Sequence, residues 1–99
     1  MYDPIKMQVK YKDKADRTRT IQLTRTENLL LYLLWKHKDK IVTFEKLSEY
    51  MLDSKLDYDN YKIVVTAKSR LARKLKDKVI IATYNKQGYM LTKLGEDNG

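Results

Sequence analysis

Apolar residues recur at every second position from Ile5 to Tyr11 (Ile5, Met7, Val9, Tyr11), the period of a strand with one buried face. The polar run Lys12-Asp13-Lys14-Ala15-Asp16 reads as a turn, and a weaker alternation from Arg17 to Leu23 predicts the returning strand. At Thr24 the period changes. Thr24 and Glu27 have the spacing of a capping box, in which the hydroxyl serves an orphan N–H and the carboxylate reaches back. A first helix is predicted from there to about His37, with Lys36, His37 and Lys38 at its negative end. Leu29, Leu30, Leu31, Leu33, Leu34 and Trp35 make it apolar nearly all round, which places it at the centre of the core, Trp35 included.

Ile41-Val42 reads as a short extended piece and Thr43 as the next N-cap. A second helix, Phe44 to about Leu52, is expected to turn Phe44, Leu47, Tyr50 and Met51 inward. Asp53 to Asp59 is an acidic loop. Asp59 or Asn60 is expected to cap a third helix ending near Lys76, with Val64, Ala67, Leu71 and Leu75 on one stripe. Val79–Tyr84 and Tyr89–Lys93 predict a hairpin around Asn85-Lys86-Gln87-Gly88, Gly88 supplying a positive φ. Gly95 to Gly99 reads as a frayed tail. The order predicts an α+β winged helix-turn-helix: N-terminal antiparallel strands, three helices and a C-terminal hairpin wing. It forms one domain over 1–99, with its core at about 5–93 and a flexible tail at 94–99.

Composition narrows the chemistry. At 42% hydrophobic and 34% charged residues the chain is an ordinary globular domain, too apolar for disorder. No cysteine is present, and His37 is the single histidine, so neither a disulfide framework nor a Cys- or His-cluster metal site is expected. Neither a membrane span nor a signal peptide can be read from it, and the expected setting is the cytoplasm. The serines Ser48, Ser54 and Ser69 lack an orienting histidine–acid pair, and Asp57 with Asp59 falls short of a metal's ligand count. Only Gly88, Gly95 and Gly99 are available, so no glycine-rich phosphate loop is present. No catalytic residue, metal or cofactor is therefore expected.

The formal net charge is +8, which suits an anionic partner. It is unevenly placed. Between Asn60 and Lys76 lie Lys62, Lys68, Arg70, Arg73, Lys74 and Lys76 and no acid, whereas Glu45, Glu49, Asp53, Asp57 and Asp59 precede them.

Three blocks carry a resemblance. Leu23-Thr24-Arg25-Thr26-Glu27, followed by Leu30-Leu31, Leu33-Leu34, His37 and Ile41 to Leu47, forms the first. Ser69 to Leu75 is the second, and Ile81 to Tyr84 with Gly88-Tyr89-Met90-Leu91 the third. Over about Ile21 to Leu91 the chain resembles the winged-helix output domain of OmpR/PhoB-type bacterial response regulators. Members of that family also carry a phosphoacceptor receiver domain, so the expectation is an excised output domain or a stand-alone regulator. Departures are local. Asn28 stands where the family has an aromatic, Asn85 and Lys86 replace a usual arginine and glycine in the wing, and Val65 and Ala67 fall on frequent acidic and histidine positions. Lys68 occupies a normally apolar position, which implies a small rotation or a snorkelling side chain.

The resemblance implies double-stranded DNA as partner, with the helix at about 60–76 in the major groove. Opposite its apolar stripe stand Lys62, Thr66, Ser69 and Arg73, with Arg70 on the flank. Arg70 suits a bidentate contact to guanine, and Thr66 and Ser69 are short enough to admit base edges. Lys62, Arg73 and Lys74 suit phosphates. Thr43 and Lys46 open the second helix, where a phosphate or a plain cap fits equally, and Lys86 would reach backbone or minor groove. Leu29 and Tyr32 are either a self-association surface or extra packing against the strands. The resemblance also implies homodimers on direct repeats and a contact of loop 53–59 with RNA polymerase. Two competing functions are a winged-helix protein-interaction module and a sequence-independent nucleic-acid binder, of RNA among others.

Overall fold

The computed structural model describes residues 1–94. It opens with a three-stranded antiparallel sheet of β1 (Tyr2–Asp3), β2 (Gln8–Lys12) and β3 (Thr18–Gln22), in that spatial order. The strand predicted from Ile5 begins instead at Gln8, because the Asp3 carboxylate accepts from the backbone N–H of Ile5 (3.0 Å) and Lys6 (3.1 Å) and folds Asp3-Pro4 into a turn. Ile5 stands at the tip of that turn, 93% exposed, and Met7 takes a φ of 56°. Asp13 organises the next turn in the same way, accepting from the N–H groups of Ala15 and Arg17 and from Arg19 Nε at 2.7 Å. The Arg17 N–H, then the Arg19 guanidinium, hold its carboxyl below the usual range.

The capping box forms as expected: Glu27 N–H donates to Thr24 Oγ1, and Thr24 N–H donates to Glu27 Oε1. The first helix, α1 (Arg25–Lys36), ends on His37 and buries Leu30, Leu31 and Leu34 completely. Trp35 is not core, being 40% exposed. It lies at the margin of α1, where β1 covers one side only and Tyr2 meets it edge-on at 5.6 Å. Asn28, at the position where the resembled family has an aromatic, is buried and paired. Its Oδ1 accepts from the Tyr2 hydroxyl at 2.5 Å and its Nδ2 donates to Pro4 O at 3.1 Å, so a polar link fastens the N-terminal sheet to α1. Burial, reinforced by Tyr50 and Tyr32, pushes the Tyr2 phenol far up.

Thr43 caps α2 (Phe44–Leu52), accepting from Lys46 N–H, and Asp53 ends the helix in the left-handed region (φ 52°). Phe44, Leu47 and Met51 face inward as predicted, but Tyr50 is 42% exposed and stacks on Tyr32 instead. The long helix α3 (Tyr58–Leu75) closes the bundle with Val64, Ala67, Leu71 and Leu75. A 3-10 turn (Lys76–Lys78) follows, and Lys78 Nζ sits 4.0 Å from the Tyr11 ring centroid.

The second sheet runs β4 (Val42–Thr43), β6 (Gly88–Leu94), β5 (Val79–Tyr84), all antiparallel. It gives the three helices their wing, and the architecture is a winged helix. The turn corrects one expectation: the positive φ belongs to Lys86 (62°), not to Gly88. Gly88 is required for a different reason. It pairs with Thr43, and a Cβ there would collide with Val42 O and lie 2.8 Å from Thr43 Cα. Leu94, expected in the flexible tail at 94–99, is instead the last residue of β6, and 95–99 lie outside the described residues.

Candidate nucleic-acid interface

Helix α3 begins earlier than the sequence suggested. Asp57, not Asp59 or Asn60, is the cap, accepting from Asn60 N–H at 2.7 Å. Asn60 is spent inside the helix, its side chain donating to Lys55 O at 2.7 Å and holding down the preceding loop. The acidic loop is thereby shortened, with Asp59 on the first turn where the positive helix end favours it. At the other end Lys76 has a φ of 50°, so the last helical residue is Leu75.

With Val64, Ala67, Leu71 and Leu75 buried, helical geometry sends Lys62, Thr66, Ser69 and Arg73 outward and Arg70 to one flank. All five are exposed. Lys62, Arg70 and Arg73 form no ion pair among the described residues, so their charge is available. Lys74 behaves differently from its grouping with Lys62 and Arg73. Its ammonium turns back to Glu27 Oε1 (2.7 Å) and Gln22 O (3.1 Å), tying α3 to α1 and β3. Burial alone would raise the Glu27 carboxyl, but the Lys74 ammonium and the Thr24 N–H outweigh it and hold the group below the ordinary range. Spacing could not reveal this pair, because its members stand 47 residues apart.

A groove of about 600 Å³ runs between the start of α1 and the Arg70 flank of α3. Thr24, Thr26, Ile63, Thr66 and Arg70 are among its lining residues. Along the opposite flank α3 is joined to α2 and the wing. Tyr61 meets Phe44 edge-on at 5.0 Å, and Phe44 meets Tyr89 at 5.2 Å. Lys68, the unusual lysine, runs half-buried toward Tyr89 and places its ammonium 5.8 Å from the ring centroid, which is the snorkelling alternative. Burial pushes the Tyr89 phenol up to about 12.

The remaining predicted residues gather on this side. Thr43 opens α2 and pairs with Gly88, while Phe44 N–H donates to Gln87 O at 2.9 Å. The start of α2, with Thr43 and Lys46 exposed, is thus bonded to the wing turn that presents Lys86. Thr43 Oγ1 is occupied as a cap acceptor. The structure therefore brings Thr43, Lys46, Lys86 and the outward residues of α3 around one framework and withdraws the Lys74 ammonium from it. Tyr58, exposed at the first position of α3, was not singled out by charge or motif. Among the described residues no group of three or more His, Cys, Asp or Glu side chains is placed to hold a metal ion, and no helix is long and apolar enough to cross a membrane.

Residues 18–91 match the family described as transcriptional regulatory protein, C terminal. Among solved structures, the chain is similar to the DNA binding domain of CpxR from E. coli, with 30% identity and a TM-score of 0.72 over 92% of this chain and 87% of that one. The DNA binding domain of the response regulator AdeR, in complex with an intercistronic region, gives 19% identity and a TM-score of 0.74 over 94% and 93% of the two chains. The DNA binding domain of E. coli CadC gives 23% and 0.71 over 91% and 82%. The last two likenesses concern the fold. No curated protein matches. On the family match over most of its length, the chain belongs to the transcriptional regulatory protein C-terminal family, the winged-helix DNA-binding domains of OmpR/PhoB-type response regulators.

Proposed function

We propose that this domain regulates transcription by reading a specific duplex site with the outward face of α3 in the major groove. The observation that carries the reading is the exposed set Lys62, Thr66, Ser69, Arg70 and Arg73 on a helix held beside the Thr43–Lys46 helix start and the Lys86 wing turn. Arg70 offers a planar fork to guanine O6 and N7, and Thr66 and Ser69 leave room for base edges. Lys62, Arg73 and Lys46 neutralise phosphates, Thr43 contributes through the free backbone donors of the helix start, and Lys86 reaches the backbone or minor groove. Lys74 is a brace for the helix, not a phosphate contact. Binding as a homodimer on direct repeats, and a polymerase contact through the loop after α2, follow from family membership under the same reading. The place of action is then the bacterial cytoplasm.

Titration of duplex DNA at several salt concentrations tests it. Each neutralised phosphate adds about −0.9 to the slope of log K against log salt, and specific binding adds sequence discrimination. Arg70→Ala is expected to cost about 1–3 kcal/mol and to relax preference at one base pair. A uniform loss across all sequences would assign Arg70 to a phosphate, and absence of binding at low salt would overturn the whole reading.

A further inference from the structure

The outward face of α3 is not uniformly polar. Its first residue, Tyr58, is 74% exposed, the most exposed aromatic among the described residues. Tyr61, three positions on, shows the contrast: its ring is engaged with Phe44. The core makes no comparable use of Tyr58. Its ring instead carries the Lys62 ammonium 5.3 Å from the centroid, which covers one face and leaves the other to solvent. Two helical turns further along the same side lies Val65, half-buried, so an apolar strip runs beside Thr66 and Ser69.

Two features decide what such a ring would meet. Residues at the start of a recognition helix are the ones that reach base edges. Asp57 and Asp59 flank Tyr58 in the chain, and both are exposed, so the ring itself stands where a neutral base edge is favoured over a phosphate, while the Lys62 ammonium one turn on still offers its charge to the backbone. The major-groove edge that offers apolar surface is that of thymine, through its C5 methyl group. We propose that Tyr58 is a specificity-determining residue, its ring packed on a thymine methyl and steadied on the other face by Lys62. This rests on the placement of α3 in the major groove.

The test uses a duplex selected from a random pool by the wild-type chain, in which each thymine is replaced singly by deoxyuridine. Loss of one buried methyl is expected to weaken wild-type binding about fourfold at one thymine. In Tyr58→Ala that position should no longer distinguish thymine from uracil, whereas Tyr58→Phe, which keeps the ring, should retain the fourfold difference. Thermal melts of both variants should match wild type, since the side chain is exposed. If Tyr58→Ala keeps every thymine preference of the wild type, or if a specifically bound duplex is indifferent to all such replacements, Tyr58 does not read thymine, although the DNA reading stands. If no duplex is enriched over random sequence, both fall together.

Discussion

Replacing Lys74 by methionine keeps an unbranched stem of similar length while deleting the ammonium that Glu27 accepts from at 2.7 Å. Glu27 is 2% exposed, so its carboxylate would be left buried with the Thr24 N–H as its surviving partner. Breaking a fully buried ion pair on one side costs about 3–5 kcal/mol. The Lys74 side chain is 35% exposed, water can partly take its place, and about 2 kcal/mol is expected at pH 7. For a domain of this size that lowers Tm by about 8–16 °C. The loss should also depend on pH. In the wild type Glu27 titrates below its ordinary value, so its contribution is full above the unfolded pKa of about 4.3 and disappears as pH falls through the folded value. In Lys74→Met burial is opposed by the Thr24 hydrogen bonds alone, so the folded pKa moves up and the advantage of the ionised carboxylate shrinks. The gap between the two proteins is therefore widest near neutrality and narrows in acid. Urea melts followed by circular dichroism at pH 7 and pH 4 measure it, and the cycle is completed in Glu27→Gln, whose amide oxygen still serves the capping box. In that background Lys74→Met should cost under about 0.5 kcal/mol. An equal loss at both pH values and in both backgrounds would refute the argument and leave Lys74 acting through its stem alone.

Other substitutions probe the junctions around the interface. Gly88→Ala would force a Cβ into Val42 O and is expected to destabilise by about 1–3 kcal/mol, with exposure of β4 in hydrogen exchange. Tyr2→Phe removes the donor to the buried Asn28 Oδ1 and should cost about 1–2 kcal/mol in denaturant melts. Lys86→Gly relieves a left-handed backbone and should stabilise by up to about 1 kcal/mol, yet flatten the salt slope of DNA binding by about one phosphate's worth. A wing lysine outside the contact would leave the slope unchanged.

Much of this was legible in the chain because local rules and burial agreed. The Thr24–Glu27 box, the Thr43 cap and the Val64-Ala67-Leu71-Leu75 stripe each depend on neighbours within a turn or two, and all formed. Sequence pattern and structure part where the deciding partner is distant or where several residues qualify. Asp57, Asp59 and Asn60 can all cap a helix, and the choice fell to Asp57 once Asn60 was drawn to Lys55 O. Apolar content placed Trp35 and Tyr50 inside, but a helix buries one sector only, and both lie at its edge beside Tyr2 and Tyr32. The hairpin position of Gly88 suggests a turn glycine, whereas its constraint comes from its register partner Thr43 in β4, far back in the chain. The candidate interface divides along the same line. Exposure of Lys62, Thr66, Ser69, Arg70 and Arg73 followed from the helical period, while the diversion of Lys74 depended on where α1 and β3 pack.

The seam between Thr43 and Gly88 has a mechanical consequence. Because the hairpin turn and the start of α2 share backbone hydrogen bonds, including Phe44 N–H to Gln87 O, the span between Thr43 and Lys86 behaves as a fixed caliper, not as two independent fingers. Little loop ordering is then left to be done on association. Under the proposed contacts of Thr43 and Lys86, a duplex whose groove does not match the caliper would itself have to bend, narrow or widen to be gripped. DNA stiffness varies with sequence, so a rigid gauge placed in that way would sort duplexes by their deformability at base pairs the protein never touches.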